Sequence, residues 1–298
     1  MTPSIADDLQ RALNAPDDQL APAALAIARL EHPRLDARQW LDRLDDIGRD
    51  SAHHVSGLGT PRERLIALNR YLFGALGFAG NREQYLDPRN SFLNDVLARR
   101  RGIPITLSIV YIEVGRRAGL PLNGIGFPGH FLVRSDEEAE PIVIDPFNGG
   151  ALLSPSECLA LLREHAGADA EWNPDLLEPA TRTQIVVRML NNLKRAYVAL
   201  RSFQHAWRVT DLLVSISGSE PTELRDRGLL AYHLQNYASA LRDLERYLAL
   251  LPRTEPASGH ESAPEETEEI DEPDDTRKEF EAIWEHVKNL RRRVASFN

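Results

Sequence analysis

Residues 102–121, GIPITLSIVYIEVGRRAGLP, constrain the fold more than any other stretch of this 298-residue chain. Pro104 suits the first turn of a helix, and Leu107, Val110, Tyr111, Val114 and Ala118 fall on one apolar stripe. Ile105, Ile109 and Ile112 then make the first two turns apolar on nearly every side, so the helix must be enclosed by other elements. Gly119 ends it. Two β-rich runs follow, GIGFPGHFLVR and PIVIDPF, separated by the acidic SDEEAE, which reads as a hairpin. With residues 135–141 as its loop, antiparallel counting sets His130 opposite Asp145 to within one residue.

The first eighty residues read as short amphipathic helices. Trp40, Leu41, Leu44 and Ile47 recur at helical spacing, as do Leu65, Leu68, Leu72, Phe73 and Leu76, with Thr60 as N-cap and Pro61 at the first helical position. We therefore expect a helical region over 1–85 packed on a core over 86–175. Arg99, Arg100 and Arg101 fall at a helix end, where cations complement the dipole. Ser154, Pro155 and Glu157 form a capping box that opens a helix carrying Cys158 and ending near Gly167, and EWNPDLLEPA reads as a linker.

Beyond it the chain repeats itself. Leu200 and Leu234, Phe203 and Tyr237, Ala206 and Ala240, and Leu213 and Tyr247 are each 34 positions apart, the tetratricopeptide period, over residues 183–252. Residues 255–275 hold ten acidic side chains and no Lys or Arg, a composition expected to leave the linker 253–275 disordered. Phe280, Ile283, Trp284, Val287, Leu290 and Val294 then give residues 276–298 an apolar helical face, suited to covering the open end of the repeats.

Charge and cysteine content narrow the function classes. A net charge of -10 repels a phosphate backbone, so nucleic acid is not an expected partner. The one cysteine permits no internal disulfide, Asp7, Asp8, Asp17 and Asp18 stand where a secretion signal needs a basic and apolar start, and no stretch nears the roughly 18 apolar residues of a membrane span. A soluble cytoplasmic protein is expected. The histidines lack metal-ligand spacing, adjacent His53 and His54 point to different faces, and neither metal nor cofactor is expected.

Cysteine proteases and transglutaminases place a thiol at the start of a buried helix and orient a histidine and an acid against it. A buried helix opening at Pro104, with His130 beside Asp145 as base and orienter, reproduces that geometry. The run NSFLNDVLARRRGIPITLSIVYIEVGRRAGLPLNGIGFPGHFLVR with IDPFNGG resembles the bacterial SirB family, most specifically in GFPGHF and IDPFNGG. The resemblance spans nearly the whole chain. It implies an α+β protein: a helix-rich papain/transglutaminase-like core with a small antiparallel sheet, then an all-α tetratricopeptide-repeat module, with His130 and Asp145 at the second and third triad positions.

No thiol completes the triad. Counting back from GLP puts the nucleophile at Pro104 or Ile105, and neither can attack. Thr106 and Ser108 are the nearest hydroxyls, one turn out of place and far less acidic than a thiol, while Leu161 and Leu162 put Cys158 on the apolar face of its own helix. The expectation is a non-catalytic adaptor or regulator that holds a protein partner through its repeats. Two alternatives stand beside it: an acyl-transfer or amide-hydrolysing enzyme using His130 and Asp145 with an atypical nucleophile, and a sensor of a small ligand in the degenerate cleft.

Overall fold

A computed structural model of the chain describes residues 4–16, 19–218, 220–251 and 274–295, the side chains of the last stretch over 282–292. The expectation of disorder over 255–275 lies outside the described residues, except that Asp274 and Asp275 open the final helix. The chain divides into two compact units, residues 1–202 and 203–298.

In the first unit, α3 (Ala37–Val55) and α5 (Leu93–Arg99) pack on α6 (Pro104–Arg117), α2 (Ala21–Ala28) packs on α3 and α5, α1 (Ile5–Leu13) on α2, and α4 (Pro61–Asn69) on α3. Every residue from Pro104 to Gly115 is buried, which follows from a helix with no polar face. α3 packs closely on α6: a side chain at Gly48 would begin 2.3 Å from the Cβ of Arg117. The one carboxylate inside α6, Glu113, is fully buried yet satisfied. Its Oε1 accepts the N–H groups of Leu20 (2.5 Å) and Ala21 (3.1 Å) where α2 starts, and Arg116 and Arg117 pair with Oε2.

Capping follows the local sequence. Thr60 with Glu63 opens α4, and Ser154 with Glu157 opens α7 (Pro155–Ala166) through reciprocal side-chain to backbone bonds. α4 runs into a π-helical turn over Arg70–Ala75, where Leu76 N–H reaches back to Tyr71 O. Arg99, Arg100 and Arg101 do more than meet solvent at a helix end. Arg99 pairs with Asp87 at 3.3 Å, and Arg100 and Arg101 donate to the carbonyls of Leu76 (2.6 Å) and Gly77 (3.0 Å). They thereby fasten the end of α5 to the π turn, beside the short parallel pair β1 (Ala79–Gly80) and β2 (Arg101–Gly102).

The expected hairpin is instead part of a four-stranded antiparallel meander, β3 (Leu122–Ile125), β4 (Leu132–Ser135), β5 (Ile142–Asp145) and β6 (Ala151–Leu153). The run GIGFPGHFLVR is two strands, because the Pro-Gly pair at 128–129 turns the chain between them. Val133 pairs with Ile144, so continued counting puts Phe147, not Asp145, across from His130. The expected linker is likewise no free connector. Ala180 N–H donates to Gly124 O at 2.8 Å and Arg134 Nη1 to Leu177 O at 2.6 Å, which binds the segment along the edge of the sheet.

α8 (Arg182–Ala199), expected as the first repeat helix, belongs by its contacts to the first unit. Its face of Ile185, Val186, Met189, Leu190 and Leu193 is buried there, and it packs on α2 and α6. The second unit comprises α9 (Phe203–Ser217), α10 (Pro221–His233), α11 (Tyr237–Leu250) and α12 (Asp274–Ala295). The 34-residue repeat is visible in the backbone. Arg201 and Gln235 both adopt left-handed φ (56° and 60°), and the residues after them, Ser202 and Asn236, donate back to Tyr197 O and Ala231 O. Ala231, Ala240, Leu244 and Tyr247 form a core with Ile283, Val287 and Leu290 of α12. Arg227 of α10 clips the layer with a two-pronged bond to Asp243 (2.7 and 2.8 Å) and a third contact to Asp211.

Candidate functional site

His130 and Asp145 meet diagonally. Asp145 lies across from Leu132, two residues beyond His130 on the same face of the sheet, and cross-strand diagonals remain within reach of a long side chain. His130 Nε2 is 3.0 Å from each carboxylate oxygen of Asp145, and the two residues are only 6% and 1% exposed.

The carboxylate is anchored on its other side by the turn after β5. Asp145 Oδ1 accepts the N–H groups of Phe147 (3.0 Å) and Asn148 (3.2 Å), and Oδ2 the Asn148 amide (2.6 Å). Burial acts to raise its pKa, but the bonds from His130 and Asn148 outweigh that and hold it below the usual carboxylate range. An ionised carboxylate only accepts, so Nε2 carries a proton directed at Asp145. The two glycines of IDPFNGG have positive φ, 69° and 77°. A side chain at Gly150 would lie 2.2 Å from Asn69 Oδ1, and Asn69 Nδ2 pins the turn by donating to Gly150 O at 2.6 Å.

The turn carrying His130 is held from α7 and α8. Gly129 has φ 65°, and any Cβ there would meet His165 at 2.5 Å. The His165 ring stacks on His130 with centroids 5.7 Å apart and planes within 9°, while Phe147 presents its edge at 5.9 Å. From α8, Arg188 Nη2 donates to the carbonyls of Phe127 (2.7 Å) and His130 (2.5 Å). Asn148, His165 and Arg188 were not singled out from the sequence. Only Arg188 carried a signal, as the one cation among the apolar residues of 185–190.

The proposed nucleophiles are placed elsewhere. Pro104 and Ile105 are buried at the start of α6. Thr106 Oγ1 donates to Asn90 O (2.7 Å) and accepts the Ile103 N–H (3.1 Å), and Ser108 Oγ sits 3.4 Å from the carbonyl of Phe131. Both hydroxyls are fully buried on backbone partners. Cys158 packs among Ile125, Phe127, Leu132, Val143 and Leu162. Burial, with Glu157 and Asp145 adding negative charge, pushes its thiol up to about 11. The α7 residue against His130 is His165, seven positions or about 10 Å of helix away from Cys158. Among the described residues no cluster of three or more His, Cys, Asp or Glu could hold a metal ion, and no helix is long and apolar enough to cross a membrane.

A buried helix presenting its N-terminus beneath an antiparallel sheet with a His-Asp pair, followed by 34-residue helical hairpins, defines a transglutaminase-like core joined to tetratricopeptide repeats. Comparison with known proteins agrees: residues 38–191 match the transglutaminase-like superfamily and residues 193–263 the tetratricopeptide repeat. The chain belongs to the transglutaminase-like SirB/UPF0162 family. A UPF0162 protein of Xylella fastidiosa (strain Temecula1) is 41% identical, over 80% of this chain and 87% of its own. Protein SirB1 of Salmonella typhimurium is 28% identical over 77% of this chain and 84% of its own, and UPF0162 protein YchA of Escherichia coli K12 28% over 75% and 82%. Among solved structures, menin aligns over 82% of this chain and 68% of its own, at 14% identity and a TM-score of 0.40.

Proposed function

We propose that this protein is a non-catalytic adaptor or regulator of the cytoplasm whose repeats hold a protein partner while the transglutaminase-like core serves as scaffold. One observation supports the reading: His130 and Asp145 pair, but Thr106 and Ser108 are spent on backbone groups, and sequence spacing assigns the nucleophile's place to Pro104 or Ile105. A base without an acceptable partner performs no acyl transfer. The repeats support the binding role, since stacked helical hairpins present extended surfaces for protein segments. The single buried cysteine suits a reducing compartment.

The test is affinity capture with the full chain against a chain ending at residue 202. A purified partner that binds the full chain at least tenfold more tightly than the shortened one supports the reading. Equal binding by both places the interaction on the core. The intact pair keeps the enzymatic alternative specific: amine-transfer or amide-hydrolysis activity abolished by His130→Ala would replace the adaptor reading.

A further inference from the structure

The segment that runs along β3 lines an open pocket of about 400 Å³ whose walls include neither His130 nor Asp145. Phe131, Leu176, Pro179 and Ala180 give it apolar walls, and Arg188 enters it from α8. Asp175, Glu178, Gln184 and Arg188 give it polar walls as well, and a concave site with convergent polar groups is the usual form of a small-molecule site.

Arg188 is the unusual member. Its side chain is partly buried, and its Nη2 is satisfied by two neutral carbonyls. Among the described residues no carboxylate pairs with it, although the chain carries 45 acidic against 35 basic side chains. Burial lowers its pKa, Tyr85 opposes that shift and Arg195 adds to it, and the guanidinium faces the Phe131 ring at 5.8 Å. A cation withdrawn from water without a counter-charge is costly, and an anion that completes it recovers that cost through a charge-assisted, directional bond. Nη1 is the group available to do so: it lies 3.7 Å from where a Cβ on Gly126 would be, on the pocket wall. The same pocket is lined by Asp175 and Glu178, both exposed and neither paired with Arg188.

We infer that this pocket binds a small amphoteric molecule with an apolar body, the chemistry of a free α-amino acid: its carboxylate on Arg188 Nη1, its ammonium toward Asp175 and Glu178, its hydrocarbon against Phe131 and Leu176. The guanidinium that receives the carboxylate also holds the carbonyl of His130, so occupancy of the pocket is felt at the turn that carries His130. The inference is independent of the adaptor reading, since a partner bound by the repeats neither requires nor excludes it.

Calorimetry and thermal unfolding of the full chain test it, with L-leucine, L-methionine and L-phenylalanine as probes and 4-methylpentanoate and isopentylamine as half-ligands. At least one amino acid is expected to bind with one-to-one stoichiometry and raise the Tm. The carboxylate alone should bind at least tenfold more weakly and the amine alone not at all. Arg188→Gln should abolish binding, but it also releases the His130 turn. Gly126→Val is therefore the second variant: its Cβ would stand 3.7 Å from Nη1, so its methyls crowd Nη1 from the pocket wall without removing the guanidinium. It should still unfold cooperatively without ligand and lose binding at least tenfold. No Tm rise with any of the three amino acids, unchanged binding in Gly126→Val, or isopentylamine binding as tightly as leucine would each overturn the site.

Discussion

Asp145 joins two structural tasks in one carboxylate: it receives His130 Nε2 at 3.0 Å and simultaneously caps the turn that follows by accepting the N–H groups of Phe147 and Asn148. Because its folded pKa is depressed, the unfolded chain binds the proton more readily. Its contribution to stability is thus present above the ordinary carboxylate pKa and lost as pH falls below about 4 toward the lower folded value. Urea denaturation from pH 7 to pH 3 should show this loss in the parent protein and a shallower loss in Asp145→Asn. Parallel pH profiles for the two would refute the assignment.

The lone thiol should be inert in the folded state. With a pKa near 11 and 1% exposure, Cys158 is expected to react with a thiol reagent at pH 7 only on unfolding. Cys158→Ser should cost about 1–3 kcal/mol, because it puts an unpartnered hydroxyl among Ile125, Leu132 and Leu162. Rapid native labelling would instead mark it as a reactive thiol and reopen the enzymatic alternative.

Glu113 is a buried anion on which α2, α6 and two arginines converge. Glu113→Ala removes the acceptor of two backbone N–H groups and one of the two carboxylate partners of Arg117, which keeps Asp45, so we expect a loss of about 3–5 kcal/mol in chemical denaturation. Glu113→Gln should lose less, since it keeps one acceptor oxygen. Equal losses would show that charge, not the backbone bonds, dominates.

In the repeat unit the comparable residue is Arg227, which neutralises Asp243 at 5% exposure. Arg227→Ala should destabilise the protein by about 3–5 kcal/mol by leaving that carboxylate buried and alone. The double change to Ala at 227 and Asn at 243 should recover part of it, a coupling that a denaturation cycle measures directly. Additive losses would mean the pair contributes nothing jointly.

What the sequence determined by itself was everything set by near neighbours in the chain. The enclosed helix after Gly102, the caps at Thr60 and Ser154 and the 34-residue turn period all follow from spacing within a few turns, where backbone geometry leaves few choices. The residue types of the candidate site, His130 and Asp145, were legible too. Their geometry was not, because β4 runs on through Ser135, which pairs with Ile142 where the count placed a loop, and so puts Phe147 rather than Asp145 across from His130. Tertiary structure alone decided that Thr106 and Ser108 spend their hydroxyls on distant carbonyls, that the segment before α8 is bound to a sheet edge, and that Arg188 reaches the His130 turn from 58 residues away. Such pairings depend on which buried polar groups find one another once the apolar faces have closed, and no local pattern encodes that outcome.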